Sequence, residues 1–173
     1  PNHTFYMFKH EGDESMKLIT TLTAAALTLG LVATTHAAML AVTTSQGSGA
    51  DSWIRGGTQS NVNFGTSADL FATYDNTPDA NTRKTYLRFD IGALPVGAVV
   101  TDAEIDIQVE VASSSTTQIY GLNHASSGQN WGETTIDFSN APANDTTGSF
   151  FTSDATGVLT SVSSAPTGVL TFS

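Results

Sequence analysis

Residues 103–111 read AEIDIQVEV, and this stretch decides the fold. Ala103, Ile105, Ile107, Val109 and Val111 fall on one side of an extended chain, with Glu104, Asp106, Gln108 and Glu110 on the other. Successive side chains of an extended backbone point to opposite faces, so strict alternation of apolar and polar residues reads as a half-buried β-strand. The acidic side reads as a solvated face.

Working outward, residues 85–91 repeat the pattern. Leu87, Phe89 and Ile91 point one way, while Lys84, Tyr86, Arg88 and Asp90 point the other, and Gly-Ala-Leu-Pro at 92–95 ends the run. Shorter runs at 52–55, 70–74, 118–122, 136–138, 157–162 and 169–172 are separated by clusters of Gly, Asn, Asp, Ser and Pro. Such clusters punctuate strands and make turns. After residue 38 no segment carries a helical period. Roughly eight short strands in one domain predict an all-β fold, a two-sheet antiparallel β-sandwich of the jelly-roll type. The last run stops at Ser173 with no turn after it, which reads as a chain truncated at its C-terminus.

The bulk numbers agree with one domain and narrow its partners. The 173 residues carry a formal net charge of -10, with a pI near 4.4. Long-range attraction to nucleic-acid backbones or anionic lipid needs the opposite sign. Charged residues make up 13% of the chain, about half the usual share of roughly 25%. There is no cysteine, so disulfides, thiolate nucleophiles and thiolate metal sites are excluded. An apolar core must carry the stability, and about 130 residues suffice to bury one.

Residues 1–15 precede Met16 and carry Lys9, His10, Glu11, Asp13 and Glu14 with no apolar period, so they are read as an upstream non-native or disordered segment outside the domain. From Met16 the chain reads MKLITTLTAAALTLGLVATTHAA: one Lys, an apolar stretch at 18–32, then small residues at Thr35 and Ala37. This three-part order predicts a secretory signal peptide at 16–37, cut after Ala37, and hence an exported domain at 38–173. The apolar span falls short of the ~20 residues that cross a bilayer. The domain then keeps as bases Arg55, Arg83, Lys84 and Arg88.

Three stretches resemble a known family: ADSWIRGGTQSNVNFG at 50–65, TRKTYLRFDIGALP at 82–95 and WGETTIDFSNAP at 131–142. In this order they are similar to the disaggregatase-related repeat domain, which overlaps the alginate-binding carbohydrate-binding module family 96. The resemblance covers nearly all of the chain after residue 38. It implies a jelly-roll sandwich without catalysis of its own, frequently attached to an enzyme or a surface protein. It implies an acidic polysaccharide as partner, with an alginate-like uronan favoured. It leaves open a structural or adhesive surface domain without a sugar ligand, and a polysaccharide lyase.

The few basic residues are the candidate ligand contacts. Alternation sets Lys84 and Arg88 on one strand face about 13 Å apart, at ~3.3 Å per residue, with Tyr86 between them. That spacing suits carboxylates along a uronic-acid chain, and Tyr86 suits a sugar ring. Arg83 at the strand start and Arg55 before Gly56-Gly57 complete the set. Guanidinium groups match carboxylates bidentately. On this reading Arg88→Ala with Lys84→Ala weakens binding and leaves unfolding nearly unchanged. The alternative is that these groups pair with neighbouring strands and stabilise the sheet.

No cofactor is expected. Calcium is the alternative left open by the Asp-rich loop at 75–79, although that loop lacks the Asp-x-Asp-x-Asp-Gly pattern. Trp131 is expected to close the sandwich edge, Glu133 to bond a loop backbone, and Trp53 to lie in the core. A lyase needs an Arg/Asn neutraliser with a His or Tyr acid–base set in one groove. The domain offers one histidine, His124, in a Gly/Ser-rich loop, and no enzyme is expected.

Overall fold

The computed structural model describes residues 39–74, 81–95, 98–123, 131–146, 152 and 154–173, together with the backbone of two strands that precede them. The elements are β1 (His3–His10), β2 (Leu18–Ile19), β3 (Ala50–Arg55), β4 (Arg83–Phe89), β5 (Ile105–Val109), β6 (Thr116–Leu122), β7 (Ala155–Val162) and β8 (Gly168–Phe172). They form a five-stranded sheet of order β3-β4-β1-β6-β7 and a three-stranded sheet of order β2-β5-β8. Every pairing between strands is antiparallel. The protein is a two-sheet β-sandwich.

The alternation at 103–111 places its strand as expected. Ile107 and Val109 are fully buried in β5, Ile105 is half-buried, and Glu104, Asp106 and Glu110 face solvent. Val111 lies past the strand end and is exposed. Between the sheets, Ile107 and Val109 pack with Trp53 of β3, Leu87 of β4, Ile119 of β6 and Phe172 of β8. Each of these large side chains adds about 1.5–3 kcal/mol of burial. In a cysteine-free domain this layer is the main cohesive term.

A second apolar cluster lies on the opposite face of the larger sheet. Ile54 of β3 and Tyr86 of β4 are covered there by Trp131, Ile136, Phe138 and Ala141. The covering segment is irregular, and the short run expected as a strand at 136–138 is a turn with its apolar residues turned inward. Asn63 holds it from below, its amide donating to the carbonyls of Glu133 and Ile136, both at 2.7 Å. Gly65 is required beneath: a Cβ there would stand 1.9 Å from the Glu133 carbonyl oxygen. The run at 70–74 also differs from expectation, reduced to a single bridge between Thr73 and Arg83.

The N-terminal segment departs most from the sequence reading. Residues 1–15 were expected outside the domain, yet β1 lies within the larger sheet, in register with both β4 and β6. Its sequence HTFYMFKH explains why. Phe, Tyr and Thr favour a pleated, half-buried surface, and neighbouring strands supply the backbone partners that a charged, non-periodic tail would lack. Part of the expected leader is also paired, Leu18 with Val109 and Ile19 with Gln108. Residues 20–38, where the rest of that leader falls, lie outside the described residues.

Candidate functional site

The pleat of β4 divides the basic residues between two faces. Register pairs Arg83 with Arg55, Lys84 with Ile54, Tyr86 with Ser52 and Arg88 with Ala50. Arg55 and Arg83 therefore share the face that carries Trp53 and Leu87, while Lys84, Tyr86 and Arg88 take the face beneath the 131–144 cover.

Lys84 and Tyr86 are buried, at 1% and 0% exposure, which corrects the expectation of a surface binding face. The physical reason is the cover itself. Lys84 Nζ donates to Asn144 Oδ1 and stands 5.5 Å from the Phe138 ring centroid. Asn144 in turn donates to the Phe138 carbonyl at 2.6 Å. A buried ammonium is tolerable only with such partners. The Tyr86 hydroxyl donates to the Pro142 carbonyl at 3.1 Å. Its ring meets Trp131 edge-on, with centroids 5.9 Å apart. Desolvation pushes the Tyr86 hydroxyl well above its ordinary value of 10.0. These two side chains anchor the cover and offer no plate to a sugar.

Arg88 sits at the rim, half-buried. Its Nε donates to the Ser48 carbonyl and one terminal nitrogen to the Trp131 carbonyl, both at 2.7 Å. The guanidinium carbon lies 5.0 Å from the Trp131 ring centroid. Arg88 therefore staples the 44–49 turn and the cover to β4. Beside it, Asp90 accepts hydrogen bonds from the Ser48 amide and the Gly92 amide, both at 2.8 Å. Those donors, Ser48 first, hold the Asp90 carboxyl below its ordinary range. Gly47, at φ +57°, turns the chain where a Cβ would strike that carboxylate.

Arg55 and Arg83 form the other group. They are cross-strand partners at the ends of β3 and β4, and both are half-buried. Like charges opposite one another cost a sheet stability, so this placement calls for compensation. One terminal nitrogen of Arg55 donates to Asn81 Oδ1 at 2.6 Å. The Arg83 guanidinium lies 5.8 Å from the Trp53 centroid and 5.4 Å from that of Phe71. Trp53 stacks on Phe64 at 3.8 Å and meets Phe71 edge-on at 4.9 Å. Two half-buried guanidiniums at the end of a rigid aromatic stack can receive a carboxylate.

Other expectations sort plainly. Trp53 is core and Trp131 closes the outer face, each 7% exposed. Glu133 Oε2 faces the backbone amide of Asp51 at 3.4 Å. The loop at 75–79 and His124 lie outside the described residues. Among the described residues no group of three His, Cys, Asp or Glu side chains could hold a metal ion. Sequence reasoning missed Asn144 as the partner of Lys84. Its place beyond the Trp131 stretch carries no local signal, because the contact spans 60 positions.

No curated protein and no solved structure matches the chain. Over residues 42–162, well over half its length, the chain matches and belongs to carbohydrate-binding module family 96.

Proposed function

We propose that this chain is a secreted, non-catalytic module that binds an acidic polysaccharide, with an alginate-like uronan favoured. In this reading Arg55 and Arg83 receive uronic carboxylates, and the Trp53–Phe64–Phe71 stack behind them lends rigidity. The observation that carries it is the register of two half-buried arginines side by side at one sheet end. In a chain of net charge -10 a paired guanidinium site stands out as the place for an anion. Family membership supports carbohydrate as the ligand class and binding without turnover. The pattern at 16–37 supports export, checked by N-terminal sequencing of protein recovered from culture medium, with Ala38 expected first.

Affinity electrophoresis of the full chain in gels holding alginate, pectate or a neutral glucan tests the reading. Retardation by the uronans alone is expected. Arg55→Ala should reduce it about tenfold, as loss of one charged hydrogen bond of roughly 1.5–3 kcal/mol predicts. Arg83→Lys, which keeps the charge and loses the planar fork, should also reduce it. Equal retardation by the neutral glucan, or none by any polymer, would overturn the proposal. Growth of ultraviolet absorbance from unsaturated chain ends would overturn its non-catalytic part.

A further inference from the structure

The middle of the larger sheet is built from three strands that are distant in sequence. β4 and β6 do not pair with each other; β1 lies between them, antiparallel to both. Five residues from His3 to Met7 register with β4, and six from Phe5 to His10 register with β6. Position 5 is flanked by Leu87 and Gly121, and position 7 by Thr85 and Ile119, all four buried. Position 6 is flanked by Tyr86 and Tyr120. The cleft thus offers two backbone ladders that overlap at positions 5–7, and a register that sends odd and even positions to opposite faces. These are the two ingredients of strand-addition recognition, in which the main chain supplies affinity and alternate positions supply selectivity.

The chain link from β1 to its sheet neighbour in sequence is long. Residues 11–49 separate β1 from β3, and within that interval β2 pairs with β5 of the other sheet. A cut after Ala37 removes the covalent link between β1 and the strands from β3 onward, leaving the pairings of β1 with β4 and β6 and of β2 with β5.

We propose that the cleft between β4 and β6 is a strand-acceptor site that takes an extended peptide in trans, and that its occupant in this chain is His3–His10. The partner it fits is a segment of about eight residues, free of proline in its middle, which pairs antiparallel on both sides. The site is separate from the Arg55–Arg83 pair, and its test does not depend on any polysaccharide.

The test uses the full chain with a site-specific protease sequence inserted after Ala37, folded first and cut afterwards. The expected result is an N-terminal fragment that co-elutes with the domain on gel filtration, with amides of β4 and β6 protected from hydrogen exchange. Excess labelled HTFYMFKH peptide should displace the fragment and restore the same protection. A peptide carrying Tyr6→Pro should bind at least about tenfold more weakly, since proline removes a ladder donor. If the fragment leaves and the amides of β4 and β6 stay protected, the cleft is not its site and the proposal fails. If it leaves with loss of protection, the labelled peptide must restore that protection, and failure to do so equally overturns acceptance in trans.

Discussion

Arg83 and Lys84 are adjacent in the chain and end on opposite faces of one sheet, one against an aromatic stack and the other beneath a loop. That separation reverses the expected behaviour of Lys84→Ala with Arg88→Ala. Losing both should leave Asn144 Oδ1 and the carbonyls of Ser48 and Trp131 without these donors. Unfolding in denaturant should shift by about 2 kcal/mol or more, chiefly from the orphaned buried acceptor of Asn144. Tyr86→Phe should cost about 1 kcal/mol for the bond to Pro142. It should also change the alkaline limb. The folded hydroxyl is raised above 10.0, so the native state favours the neutral form, and stability is full below that value. It should fall as pH rises through the folded value, and Tyr86→Phe should abolish that part of the loss. Asp90 has the opposite sign. Its folded value lies below 3.8, so the stability it lends is present above that value and fades as pH falls through the folded one. The Ser48 and Gly92 amide resonances, followed by NMR from neutral pH into acid, report this release.

At the scale of elements, the cover at 131–144 is the piece least visible beforehand. Trp131→Ala should destabilise by roughly 3–5 kcal/mol and expose Tyr86, measured by thermal unfolding and tyrosine fluorescence. A shift below about 1 kcal/mol would mean that the cover does not seal that face. β5 was legible from its residues because one of its faces meets solvent, so chemistry alternates with geometry. β4 misled for the converse reason. Its Lys84, Tyr86 and Arg88 look like a solvent face, and only a segment more than forty positions further on makes them interior. The pattern of a strand reports polarity, and polarity equals exposure only where nothing else is laid over it. The basic residues stand out in the sequence as a set because they are so few. Which of them meet solvent depended on that later segment, and on strand parity at Arg55 and Arg83. The strand nature of β1 could be read from HTFYMFKH, but its place between β4 and β6 follows from topology, which no local window contains.

For the whole molecule, the sandwich keeps the outward acidic side chains apart from the arginine pair that the proposed function uses. Asp106 of β5 and its flanking Glu104 and Glu110 face outward on one sheet, while the arginine pair lies at the end of the other. Attachment of a polyuronate to the arginine pair should weaken as salt rises, because screening reduces guanidinium–carboxylate attraction there, while the outward acids lie by the other sheet. Binding measured at low salt and near 1 M should differ several-fold, and salt-independent binding would point to aromatic contact as the main term. The enclosure of β4 on both sides has an evolutionary consequence. All seven of its positions touch either the core, the cover or the arginine pair, so the strand has no neutral ground on which substitutions can accumulate. Substitutions within RKTYLRF should therefore be tolerated less well than those at strand ends and connecting loops.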